Sequence, residues 1–159
     1  MIEQWAAVLE GTQLAVGLRG SAWAYPLVNA AHILGVSLLV GSIVPLDLRL
    51  IGAWPSVPAA PLWRVLTRTA SVGLLLAVVF GTLLFIAQAT EYIASNLFVS
   101  KMAVVGLGTA NALSLRMLSK DPVLAITGTK LPARSRLGGG LSLLMWLTAL
   151  TLGRLIGYS

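Results

Sequence analysis

Four long apolar stretches, each bounded by polar or charged residues, set the pattern of this chain. They cover about residues 22–46, 69–90, 97–118 and 137–158, and each is near the ~20 residues a helix needs to cross a bilayer. The first ends before Asp47 and Arg49, and a segment punctuated by Pro55, Pro58 and Pro61 follows. A tight polar turn with Glu91, Ser95 and Asn96 joins the second stretch to the third. A longer loop with Lys120, Asp121, Pro122, Lys130, Pro132, Arg134 and Arg136 leads into the fourth. Residues 1–20 are too polar to span, yet Ile2, Trp5, Ala6 and Leu9 recur at helical spacing. That spacing suits a short helix lying in the membrane interface. The pattern therefore predicts an all-α fold: an integral membrane four-helix bundle with a short N-terminal interfacial helix, in one transmembrane domain over residues 1–159.

Composition agrees. Of 159 residues, 57% are hydrophobic and 10% charged, with a mean hydropathy of +0.90. A soluble domain carries about 25% charged residues, enough to cover itself with solvated surface. The net charge of +6 lies at the ends of the apolar stretches, where it sets topology, so nucleic acid is not an expected partner. The absence of cysteine excludes disulfides, thiolate metal sites and cysteine nucleophiles. The opening MIEQWAAVLE is acidic where a secretory signal is basic, and no cleavable signal peptide is expected.

Eight basic residues (Arg49, Arg64, Arg68, Arg116, Lys120, Lys130, Arg134, Arg136) flank the first and third loops, against three elsewhere (Arg19, Lys101, Arg154). The positive-inside rule then puts those loops in the cytoplasm and both termini on the periplasmic side of a bacterial inner membrane. Trp5, Trp23, Tyr25, Tyr92 and Tyr158 mark the outer interface, Trp54 and Trp63 the inner one. Small residues four apart occur in every span: Ala31/Gly35 and Ser37/Gly41, Gly73/Ala77/Gly81, Gly106/Ala110/Ser114, and Ala149/Gly153/Gly157. Such faces let helix backbones approach closely, and helix packing is their expected use.

His32 is the only histidine and falls about 15 Å into the first span, close to the midplane. Asn29 is one turn above it; Thr109, Thr148, Asn111 and Met145 are the neighbours expected from the other spans. Three readings stay open. His32 is a structural imidazole bonded across the bundle, or a ligand to haem b or to copper with Met145 as a soft partner, or a proton or quinone site. Arg154, about 6 Å below the outer boundary, reads as a snorkelling arginine paired with Glu3, Glu10 or Glu91, or as an anion clamp. Asn29, Asn111 and Arg154 join His32 as candidate cofactor-binding residues, and His32 with Met145 as candidate metal ligands. Lys101 and Gln88 belong to the same outer layer. The serines have no paired base, and Gly138, Gly139 and Gly140 have no phosphate-loop lysine, so no autonomous enzyme is expected.

Three stretches carry a family resemblance: SAWAYPLVNAAHILGVSLLVGSIVPLDLRLIG, NLFVSKMAVVGLGTANALSLRM and GRLIGY. Together they resemble a bacterial four-helix membrane family of unknown function, itself distantly similar to the membrane domain of copper-resistance protein D. The resemblance extends over nearly the whole chain and is sharpest at Tyr25-Pro26-Leu27, His32-Ile33-Leu34-Gly35 and Asp47-Leu48-Arg49-Leu50. It implies a four-span fold, with a metal or redox role attached to His32. An acidic residue in place of Asn29 and a histidine near Arg116 belong to that family's pattern and are missing here. Residues and resemblance together lead to the expectation of a non-catalytic subunit or scaffold, packing on other membrane subunits or on itself within the lipid bilayer. Haem b or copper binding through His32 is the alternative.

Overall fold

The structure, a computed structural model, describes residues 1–118 and 131–158. Lys120, Asp121, Pro122 and Lys130 lie outside the described residues. Seven helices make up the described chain: α1 (Ile2–Glu10), α2 (Gln13–Gly20), α3 (Ala24–Ile51), α4 (Ala59–Ala87), α5 (Ala89–Ala94), α6 (Asn96–Leu118) and α7 (Ala133–Ile156). Helices α3, α4, α6 and α7 are each long and apolar enough to cross a membrane, which makes this a multi-pass membrane protein.

Helix α3 does not stop where its apolar stretch stops. It continues to Ile51 and ends at Gly52, whose φ of 128° lets the chain turn while its N–H bonds back to the Leu48 carbonyl. Pro45 removes one ladder bond without ending the helix, because the next turn is held by packing: Leu46, Asp47, Arg49 and Leu50 are all buried. Helix α4 likewise starts at Ala59, well ahead of the apolar stretch, and carries Arg64 and Arg68 on its exposed side. Hydropathy marks the lipid-facing length of a span; backbone hydrogen bonding carries the helix beyond it.

The polar N-terminal segment forms two short helices. Thr12 separates them, its hydroxyl accepting from the Ala15 N–H to cap α2. Arg19 donates to the carbonyls of Glu10 and of Ala87, and Glu10 accepts from Thr90, so this hairpin is clasped to the α4–α5 junction. At the same end, Phe85, Tyr92 and Phe98 form an aromatic cluster with ring centroids 5.0–6.3 Å apart, tying α4, α5 and α6 together.

The four spans are neighbours in the order α4–α3–α7–α6. α3 and α4 approach most closely at Gly35, Gly73 and Ala77. α6 meets α7 where Gly108 faces Trp146 and Gly138 faces Leu115, and α7 meets α3 where Gly139 lies on Leu50 and the Asp47 carbonyl. Helices α4 and α6, by contrast, nowhere bring Cα atoms within 8 Å among the described residues. Their seam is closed by Phe85 stacked on Phe98 at the end that carries Tyr25, and it widens toward the end that carries Arg49. Trp146, 4% exposed, fills the interior with Leu39 and Ile43, while Leu50, Ala59, Leu115 and Leu131 form a second cluster below.

Candidate functional site

His32 faces α4. Its Nδ1 lies 2.8 Å from the Ala77 carbonyl oxygen. A carbonyl can only accept, so Nδ1 carries the proton and donates, and in the neutral ring Nε2 keeps its lone pair. The Ala77 oxygen also belongs to the α4 ladder, and its second lone pair is the one the ring uses. Gly81 makes room for the imidazole: a Cβ there would fall 2.9 Å from Cε1 and 3.0 Å from Nδ1. The Gly73/Ala77/Gly81 face is therefore both the α3 contact and the seat of the histidine.

The other sequence candidates are spread through the bundle. Asn29 is exposed one turn away on α3. Asn111 donates its side-chain amide to the Gly138 carbonyl at 3.0 Å, fastening α6 to α7. Thr109 bonds back to the Val105 carbonyl of its own helix. Arg154 is exposed, donates to the Tyr158 hydroxyl and lies 4.4 Å from the centre of that ring. Met145 is half-buried on α7. Helix α7 runs antiparallel to α3, with Ser142 level with Asp47. Met145 therefore falls opposite about Val44, roughly 18 Å along α3 from His32. The structure does not bring these two together.

Lys101 belongs to the same half of the bundle. The stem of this half-buried lysine runs across α7 at Gly153, where a Cβ would meet both Cε and Nζ at 3.4 Å. Toward the Tyr25 end, the Tyr25 hydroxyl donates to the Gln88 Oε1 at 3.1 Å and also engages Tyr92. This half of the bundle thus holds a polar layer of Tyr25, Gln88, His32 and Lys101 inside otherwise apolar helices. Among the described residues, no three metal-binding side chains of the His, Cys, Asp or Glu type come together.

A second polar group sits at the other end. Asp47 and Arg49 are each 2% exposed. Arg49 donates to the carbonyls of Val57 at 2.7 Å and Pro55 at 3.4 Å, drawing the 52–58 loop over the end of α3. Asp47 faces the Ser142 hydroxyl across the α3–α7 contact, and among the described residues its Oδ2 has no partner. The Trp146 indole N–H, one turn along α7, also lacks an acceptor among them. Sequence reasoning passed over this group because the apolar stretch ends just before Asp47. Unbroken helical periodicity through Asp47-Leu48-Arg49-Leu50 was the signal that would have kept these residues inside. Compared with known protein families, curated proteins and solved structures, the chain matches none.

Proposed function

We propose that this chain is a non-catalytic membrane subunit or scaffold that packs against a larger assembly in a bacterial inner membrane. One observation carries the reading. Gly106, Ala110 and Ser114 form a small-residue face on α6 that is exposed, and a Cβ added at Gly106 meets nothing within 4 Å. Ser37 and Gly41 are exposed on α3 in the same way. Small faces serve close backbone approach between helices, and among the described residues no helix lies on these two. Gly73 and Ala77, which have the same spacing, are covered by α3. The uncovered faces fit a helix from another subunit or from a second copy. Both termini are placed in the periplasm by the distribution of Lys and Arg.

Native purification in mild detergent, with cross-linking in intact cells, tests this. A stoichiometric partner or a discrete oligomer is expected, lost in the Gly106→Leu/Ala110→Leu variant without loss of thermal stability. A monomer with no partner overturns it. Because the chain has no cysteine, single cysteines at Ser56 and Thr12 report sidedness by labelling, with only the latter accessible from the periplasm.

Binding of haem b or copper at His32 is the second reading, favoured by one feature. Ligating histidines usually give their other ring N–H to a carbonyl or carboxylate, and the bond from Nδ1 to Ala77 leaves Nε2 available. With Met145 at a different depth, a second strong ligand is expected from another subunit. When bound, such a group would supply electron transfer or metal hand-over; the chain's contribution is one oriented imidazole. An absorption spectrum and metal analysis of natively purified protein, beside His32→Ala, decide it. A Soret band or stoichiometric copper lost in the variant supports the reading, and absence of both in the wild type removes it.

A further inference from the structure

The wedge between α4 and α6 encloses a cavity of about 580 Å³, within the range of roughly 300–1,000 Å³ typical of small-ligand sites. Arg64 and Arg68 reach it from α4 and Arg116 from α6, with Trp63, Thr67 and Ser71 on its wall. We infer that this wedge binds the phosphate headgroup of an anionic phospholipid.

Charge is the first argument. Three guanidiniums from two helices share one cavity, and among the described residues no carboxylate lines it. Arg64 and Arg68 have no hydrogen bond or ion pair among the described residues. Arg64 and Arg68, one turn apart on α4, are like charges that repel one another unless an anion sits between them. The planar guanidinium, with paired N–H donors, matches phosphate oxygens better than a point charge does.

Position is the second argument. The cavity lies toward one end of α4 and α6, two spans whose backbones do not meet among the described residues, which leaves it open to a lipid within the bilayer. Basic pockets between membrane helices are a recurrent headgroup site. Above the arginines, the same side of α4 turns apolar: Val72, Leu75 and Val79 are all exposed. That gives acyl chains a track along the seam. A soluble phosphate makes no use of it, so lipid and not free anion is the favoured occupant. Trp63 borders the wedge and packs on the Leu50, Ala59, Leu115 and Leu131 cluster, which forms the floor.

Native mass spectrometry of the full chain, with added dioleoylphosphatidylglycerol or dioleoylphosphatidylcholine, tests the inference. One phosphatidylglycerol is expected to bind about tenfold or more tightly than phosphatidylcholine, with each Arg→Gln change at Arg64 or Arg68 costing about fivefold. R134Q, which removes an exposed arginine outside the wedge, should leave the preference intact. R64K/R68K keeps the charge and should still lose part of the affinity. Both arginines are exposed, so the variants are expected to fold; helicity by circular dichroism checks this, and the single variants R64Q and R68Q serve if the pair does not. Equal binding of the two lipids, or a phosphatidylglycerol preference unchanged in R64Q/R68Q, overturns the inference. So does displacement of the bound lipid by about 10 mM inorganic phosphate, which would make the wedge a soluble-anion site.

Discussion

Gly35 and Gly73 face each other backbone to backbone. A Cβ on Gly35 would lie 2.9 Å from the Gly73 carbonyl oxygen and 2.5 Å from the Ala77 nitrogen, while one on Gly73 would lie 2.7 Å from the Gly35 oxygen and 2.5 Å from the Leu39 nitrogen. No rotamer change relieves a clash with backbone, so the helices must separate. Gly35→Ala or Gly73→Ala is expected to cost roughly 1–3 kcal/mol, read as a lowered Tm in detergent. Gly106→Ala, with open space around it, should stay within about 0.5 kcal/mol of wild type. Equal effects at the two sites would mean that this crossing does not hold the bundle.

The spans, the helical class and the Gly73/Ala77/Gly81 contact were legible in the sequence, because bilayer thickness and close helix approach each leave a periodic mark. Which of several small faces lies inside was not. Gly106/Ala110/Ser114 has the same spacing as Gly73/Ala77/Gly81, and spacing says nothing about whether a partner helix belongs to the same chain. Depth failed for a related reason. Taking the end of the apolar stretch as the end of each helix put Met145 near His32, whereas α3 runs on to Ile51 and shifts α7 along it.

Arg49 holds the first loop through neutral acceptors, the Val57 and Pro55 carbonyls. Its guanidinium is buried, and a lysine cannot serve both carbonyls with the same geometry. Arg49→Lys is expected to destabilise by about 1.5–3 kcal/mol. Hydrogen exchange should show the 52–58 segment loosening before the helices do. An unchanged Tm and unchanged exchange would show that the loop is held by something else.

Glu10 fastens the N-terminal hairpin to α5. Hydrogen bonds from the Thr90 hydroxyl and then the Thr90 N–H, with the Arg19 charge assisting, hold its carboxyl below the ordinary value of 4.5. A group with a depressed folded pKa contributes stability above its unfolded pKa and loses that contribution as pH falls through the folded one. The clasp is therefore intact at neutral pH and should loosen below about pH 4.5. Trp5 fluorescence and protease cleavage near Gly11 measure it. Glu10→Gln should show the loosened state already at pH 7; a variant that behaves as wild type would remove Glu10 from this role.

Among the described residues, Asp47 presents a buried oxygen without a partner to the α3–α7 contact. Its carboxylate faces the Ser142 hydroxyl there. Asp47→Asn keeps the shape and removes the formal charge, and is expected to hold or raise Tm, since a buried carboxylate with no counter-charge costs more to desolvate than a neutral amide in the same place. A fall of several degrees would mean that Oδ2 is satisfied in the membrane by water, an ion or another subunit.

The neighbour order α4–α3–α7–α6 makes the bundle two helical hairpins that meet along the α3–α7 line, with the Phe85–Phe98 stack closing one end of the opposite seam. The first hairpin, α3 with α4, contains its own glycine crossing and leaves the ribosome before any of α7 exists. The second, α6 with α7, carries its own Asn111–Gly138 fastening. Both contacts of α7, with α6 and with α3, wait for the last span to be made, and Asp47 with Ser142 lies on the second. The register of the finished protein is thus chosen late, at one polar contact between two preassembled halves. Halves built this way should find each other even when synthesised as separate polypeptides.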